Sequence, residues 1–160
     1  MIRRLHLMAL HVFRRLPTGA RRRVVRSIAP GYTVGAMCRI ERTDGHVLLV
    51  QLSYRNRWGV PGGLLKRGED PVTAARREVL EEVSLEVDLV GDPAVQVDAE
   101  ARRVDIVFVA RLAPGQDPDQ VRPTSPEIEA ARWFAPDALP PLQPETSGAI
   151  ALLDRRRAAR

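Results

Sequence analysis

Ile2, Leu5, Ala9, Val12, Phe13 and Leu16 recur at helical spacing with arginines between them. That pattern predicts an amphipathic helix, which Pro17 and Gly19 end. A second basic helical segment runs from Ala20 to Ile28, and Pro30 and Gly31 close this N-terminal stretch. The period then changes. Tyr32 to Ile40 and Val47 to Leu52 read as strands, and Thr43-Asp44-Gly45 between them is a turn signal, so the two are expected to form a hairpin. Ser53 to Gly59 reads as a polar loop holding Trp58, and Val60-Pro61-Gly62-Gly63 as a break in regular structure. Pro71 to Val83 has helical period with Val72, Ala75, Val79 and Val83 on one face, Pro71 at its start, and Glu69 and Asp70 beside the positive end of its dipole. Leu85 to Val90, Val95 to Val97 and Val104 to Leu112 read as strands, with a turn at Gly91-Asp92-Pro93. Pro114 to Pro126 is a loop rich in Pro, Asp and Gln, Ala130 to Phe134 a short strand, Pro136 to Pro144 a connection, and Glu145 to Arg157 a closing helix carrying Ile150, Leu152 and Leu153. The sum is one α+β domain over residues 31–160, preceded by a basic helical extension over residues 1–30.

Composition narrows this little. A chain of 160 residues with 44% hydrophobic and 28% charged residues is long enough for one ordinary core. No apolar run approaches the roughly 20 residues of a membrane span, and the N-terminal apolar stretch is broken by His6 and His11 with no small-residue cleavage site, so no signal peptide is expected. A single cysteine, Cys38, excludes an internal disulfide and suits a reducing cytoplasm. The net charge of +5 suits an anionic partner. However, the basic residues are arginines apart from Lys66, a bias that genome composition can produce, and the excess sits in Arg3 to Arg26 and Arg155 to Arg160. The extension is expected to pack on the domain or on a second subunit in a homodimer. A basic membrane-surface or nucleic-acid contact through residues 1–28 is the alternative.

The chemistry lies in the helix after the glycines. Glu78, Glu81 and Glu82 stand at i, i+3 and i+4, so three carboxylates share one face. Like charges so placed destabilise a helix unless something neutralises them, and Arg76 and Arg77 can cover only part of the charge. Either the face is simply solvated or a hard divalent cation such as Mg²⁺ binds there, taking carboxylates together with substrate phosphates. Gly62 and Gly63 allow a tight backbone turn beside such a cation or phosphate.

Written out, the stretch is Gly63, five residues, Glu69, seven residues, then Arg77-Glu78-Val79-Leu80-Glu81-Glu82-Val83-Ser84-Leu85. This resembles the Nudix box of the Nudix hydrolases, matching it at every charged position. Trp58 to Gly63 resembles the usual lead-in, and Arg132-Trp133-Phe134 with Pro136 to Pro140 resembles the last strand and the turn before the closing helix. The resemblance covers about residues 32–153. It implies the Nudix fold, a mixed β-sheet between α-helices, and a Mg²⁺- or Mn²⁺-dependent pyrophosphohydrolase of a nucleoside diphosphate linked to another group. It further implies Glu78 and Glu82 as metal ligands and Glu81 as a ligand or the partner that positions water. Glu69 is implied to reach the metal through water or to hold Arg77, Arg77 to orient the glutamates, and the Gly62 carbonyl to complete the metal shell. A further glutamate from outside the box is expected at Glu127, with Glu129 as the other candidate. Arg55, Arg57 and Arg103 are candidates for substrate phosphates, and Trp58 for stacking on a base or for packing.

One position departs from the family pattern. The glycine after the two glutamates is Ser84, where a left-handed helix end would cost a non-glycine residue about 1 kcal/mol. The downstream proline of ADP-ribose hydrolases, the tyrosine of dinucleoside polyphosphate hydrolases, the NADH-hydrolase pattern and the coenzyme A signature are all missing. A small MutT-like hydrolase of nucleoside triphosphates is therefore the expectation. The rival is a catalytically weak nucleotide-binding or regulatory module, against which the retention of Glu69, Glu78, Glu81 and Glu82 argues.

Overall fold

The computed structural model describes residues 2–29 and 31–159, without the side chains of residues 2–6 and Ala9. The expected breaker Pro30, the apolar contacts of Ile2, Leu5 and Ala9, His6 and the terminal Arg160 thus lie outside the described residues. The chain divides after Tyr32 into two compact units. The first holds helices α1 (Ile2–Arg15) and α2 (Thr18–Ile28). Gly19, expected to end the first helix, instead sits in the first turn of α2, and Pro17 precedes that helix as its N-cap.

The second unit contains β1 (Thr33–Ile40), β2 (Val47–Leu52), β3 (Trp58–Gly59), β4 (Gly62–Leu64), α3 (Pro71–Val83), β5 (Val87–Asp98), β6 (Arg103–Leu112), β7 (Ile128–Phe134) and α4 (Pro144–Ala158). Two sheets form, a mixed one in the order β4-β1-β6-β5 and an antiparallel one in the order β3-β2-β7. β1 runs parallel to β6 and antiparallel to β4, with Ala36 opposite Ile106 on one side and Gly63 on the other. Its side chains alternate between two cores. Ala36, Cys38 and Ile40 pack with Ala75, Val79 and Val83 of α3, while Met37 packs with Ala149 and Leu153 of α4. The mixed sheet therefore lies between the two helices, the α+β architecture expected. The Cys38 thiol, buried in this core, is pushed up to about 12 by burial, then by Glu82, with Arg76 opposing. It is a packing residue.

Four local expectations fail for identifiable reasons. β1 and β2 do not form a hairpin. Both edges of β1 are taken by β4 and β6, so after a single Glu41–Val47 bridge β2 leaves for the second sheet. Trp58-Gly59, expected in a loop, pairs with Gln51 and Val50. Gly62-Gly63, expected only to break structure, pairs with Met37 and Ala36. Gly91-Asp92-Pro93 does not end a strand. β5 carries it as a bulge between Val90 and Ala94, with Gly91 at φ 67° and Pro93 unable to donate to the ladder. In α3, Val72 remains 43% exposed and Ala74 takes a buried place beside Ala75.

Candidate active site

α3 begins where its sequence dictates. The Asp70 carboxylate accepts the Val72 and Thr73 amides, each at 3.0 Å, and Pro71 fills the first position, where no N–H is needed. The helix ends at Ser84, at φ 56° and ψ 35°, with its N–H bonded to the Leu80 carbonyl at 3.1 Å. The position does adopt the left-handed conformation. Thr124 then covers the helix end, its hydroxyl donating to the Glu81 carbonyl and its amide to the Glu82 carbonyl, both at 2.9 Å. This contact brings the 124–127 loop over the acidic face.

On that face the carboxylates fall into two groups. Arg77 anchors the first. Its Nε and Nη2 donate to the two Glu69 oxygens at 2.7 and 2.9 Å, and its Nη1 reaches Glu78 at 2.7 Å and Glu81 at 3.0 Å. The Lys66 amide adds a 2.7 Å bond to Glu69, and the Lys66 ammonium lies 3.2 Å from Glu81. Glu69 is accordingly held down at about 2, chiefly by Arg77 and then by the Lys66 amide. Glu81 is held below its ordinary value, chiefly by Lys66, against some desolvation, and then by Arg77.

Glu82 is the second group. Its side chain is buried, and its one hydrogen bond among the described residues comes from the Gly62 amide at 3.1 Å. Burial pushes it up to about 8; the Gly62 bond opposes this, and Glu78, Glu127 and Glu81 raise it further. A buried carboxyl facing three other carboxylates keeps its proton well above the ordinary carboxylate range, and a positive charge beside it would release that proton. The glycines make this approach feasible. A Cβ on Gly63 would lie 2.5 Å from the Glu78 carboxylate, and one on Gly62 would lie 2.4 Å from the Ala36 carbonyl.

Gly62, Gly63, Arg77, Glu78, Glu81, Glu82 and Glu127 line a cavity of about 620 Å³ together with Arg55 and Arg103. Arg55 is fixed by Glu145 and by Gln143, the latter at 3.2 Å. Arg103 is fixed by buried Asp105 at 2.8 Å. Glu145 is held low: its burial works the other way, but its own amide and then Arg55 outweigh it.

Of the residues singled out in the sequence, the structure brings Gly62, Glu78, Glu81, Glu82, Arg77, Glu127, Arg55 and Arg103 to this cavity, with Glu69 behind Arg77. Arg57 and Trp58 do not line it. Arg57 contributes a carbonyl to Gln143 at 3.1 Å, and the Trp58 ring packs edge-on against Phe134 at 4.9 Å. Glu129 lies exposed on β7 outside the lining. Gly62 meets the cluster through its amide rather than its carbonyl. Lys66, Thr33, Tyr54, Gln143 and Glu145 line the cavity without having been singled out.

No three acidic, histidine or cysteine side chains among the described residues converge closely enough to form a ready metal cage. The reason is visible in Arg77 and Lys66, which draw Glu78 and Glu81 outward. The donor set still suits a hard divalent cation. It consists of oxygens, and buried Glu82 has no cationic partner among the described residues.

The comparisons with known proteins agree with this geometry. The NUDIX domain family model matches residues 31–155. The chain belongs to the Nudix hydrolase family. It is 32% identical over 125 residues to a MutT-like protein of Streptomyces ambofaciens, covering 78% of this chain and 77% of that one. The MutT Nudix hydrolase structure from Burkholderia pseudomallei has a TM-score of 0.64 at 30% identity, covering 78% of this chain and 99% of that one. An ADP-ribose pyrophosphatase structure from Streptococcus suis has a TM-score of 0.63 at 27% identity, covering 80% of this chain and 92% of that one. This Nudix hydrolase thus carries the family's charged box residues around one cavity, with Ser84 as its departure. No helix of the described residues is long and apolar enough to cross a membrane.

Proposed function

We propose that this Nudix hydrolase cleaves the phosphoric anhydride of a nucleoside triphosphate with Mg²⁺ or Mn²⁺, acting in the cytoplasm, and that residues 31–160 suffice for the chemistry. The observation that carries this reading is buried Glu82, facing Glu78, Glu81 and Glu127 in a cavity that Arg55 and Arg103 also line. A bound divalent cation supplies charge to the phosphoryl oxygens and acidifies water. Glu78, Glu81 and Glu82 would hold it, with the Gly62 backbone beside them. Arg77 ties Glu69, Glu78 and Glu81 into one unit and so fixes where the carboxylates stand. Arg55 and Arg103 orient the phosphates, and Glu127 is the loop carboxylate able to take a proton from water. A nucleoside diphosphate linked to a sugar is the second reading, favoured by the likeness to the ADP-ribose pyrophosphatase structure.

The test is phosphate release, coupled to an auxiliary phosphatase, from nucleoside triphosphates, ADP-ribose, dinucleotides and nucleotide sugars. Wild type and Glu82→Gln are run side by side with Mg²⁺ and with Mn²⁺. The reading expects triphosphates to be turned over and the rate to fall about 10²-fold or more in the variant. Turnover confined to ADP-ribose or nucleotide sugars would select the second reading. An absence of metal-dependent turnover across the panel would overturn both in favour of a binding module. Removing residues 1–30 should leave the rate unchanged.

A further inference from the structure

A second cavity, of about 640 Å³, opens at the opposite end of β1 from Thr33 and the acidic cluster. Its walls come from the end of β1 and the turn after it (Arg39 to Gly45), the end of β6 and the segment after it (Arg111 to Pro118), Pro136 after β7, and Arg157 near the end of α4. The segment after β6 is well anchored. Trp133 donates its indole N–H to the Pro118 carbonyl at 2.9 Å, Ala113 bonds the Glu86 carbonyl at 3.0 Å, and the Gln116 side-chain oxygen accepts the Glu86 amide at 3.1 Å. This is a built wall.

The lining is strongly basic. Arg39, Arg42, Arg111 and Arg157 face the cavity, and Glu41 is the one acid among the lining residues. Arg39 forms its floor. Its side chain is only 10% exposed, and its buried Nε has no hydrogen-bond partner. The nearest acceptor, a Glu41 oxygen, lies 3.0 Å away but off the line of the N–H. The other end of Arg39 is bound to Asp154 of α4. Arg42 pairs with exposed Asp44 at 3.0 Å and with Asp119 at 3.7 Å, and Arg157 with Glu41 at 3.8 Å. Arg111 faces Asp88 across the β5–β6 ladder, yet the ion pair of Asp88 is with Arg76 at 4.0 Å, and Arg111 joins no ion pair among the described residues. One guanidinium without an ion pair among the described residues, Arg111, and three paired ones thus converge on one hollow.

We propose that this hollow is a second anion site, for a multiply charged phosphate group carried by a small molecule. Guanidinium groups match phosphate oxygens with paired donors. Arg111 supplies the unpaired charge, Arg42 and Arg157 close over the rim, and Arg39, held by Glu41 and Asp154, adds positive charge beneath. The volume suits a molecule of nucleotide size. Inorganic pyrophosphate and a nucleotide share the group that would be recognised. The site uses none of the residues of the acidic cavity, so it stands independently of the reading given there.

The experiment follows backbone amides by NMR while inorganic pyrophosphate, and separately ATP, is added to Glu82→Gln protein in EDTA. The amides of Arg42 to Gly45, Ala113 to Gln116 and Arg157 should shift. The exposed pair Arg42→Gln with Arg111→Gln should weaken that response roughly tenfold or more while leaving shifts at Gly63 and Arg103 in place. Equal affinity for the two probes would make the phosphates the recognised part, and tighter ATP would extend recognition to the nucleoside; either supports the site. Shifts confined to the acidic cavity, or an unchanged response in a doubly substituted protein with wild-type thermal unfolding, would overturn it.

Discussion

Glu69 and Glu82 are carboxylates of the same cluster, yet they sit in opposite electrostatic worlds. Glu69, behind the rim residue Arg77, receives both arms of its guanidinium and an amide, and is held down at about 2. Glu82, on the floor, receives one amide and is pushed up to about 8. The rim is neutralised by the protein's own cations. The floor is not, and that is the mark of a site arranged for a charge supplied from outside. A merely solvated acidic helix face would show the first pattern throughout.

The largest expected effect comes from the floor. Glu82→Gln should reduce hydrolysis about 10²-fold or more while leaving metal-free thermal stability at pH 8 unchanged or higher, since it removes a buried charge. Parallel rate and melting measurements check this. If both fell together, Glu82 would be a structural acid like Glu69. Next, Arg77→Met strips the rim of its common partner. The metal-free protein should lose about 3 kcal/mol or more, read by denaturant unfolding, and Mg²⁺ should restore part of it as the carboxylates gain another cation.

The two shifts also predict an unusual pH profile for the metal-free protein. Glu82 ionises near 4.5 when unfolded and near 8 when folded. Between those values the folded state holds a proton that the unfolded chain has lost. Its contribution is therefore full below about 4.5 and fades as pH rises towards 8. Glu69 behaves in the opposite sense, contributing above 4.5 and losing its contribution as pH falls towards 2. Metal-free stability should thus peak on the acid side of neutrality, and melting curves from about pH 2 to 9, which bracket both carboxyl shifts, would reveal it. The smallest expected change is Ser84→Gly, which removes the left-handed strain at the helix end and should stabilise by about 1 kcal/mol with little change in rate. A loss of stability there would mean that the helix end is held by side-chain contacts.

The acidic face was legible because helical spacing alone puts Glu78, Glu81 and Glu82 together, and the bounds of α3 because Asp70-Pro71 is a strong start. The left-handed end at Ser84 followed from the one departure from the family pattern. What stayed hidden depends on distant partners. Lys66, Gln143 and Glu145 join the cavity only through tertiary packing. The strands β3 and β4 consist of residues that usually break strands, and they pair because β2 and β1 offer them free edges. The failed hairpin has the same origin, since local turn chemistry at Asp44-Gly45 is outweighed by the parallel pairing of β1 with β6. Trp58, a candidate for base stacking, was claimed by Phe134 and the second core.

The most direct test of the account is calorimetric titration of Mg²⁺ into wild type and Glu82→Gln at pH 7, in two buffers of different ionisation enthalpy. A cation that binds at Glu82 must displace its proton. The account predicts release of close to one proton per ion bound in the wild type and almost none in the variant. Binding without proton release, or equal release from both proteins, would contradict the assignment of the buried floor as the cation site.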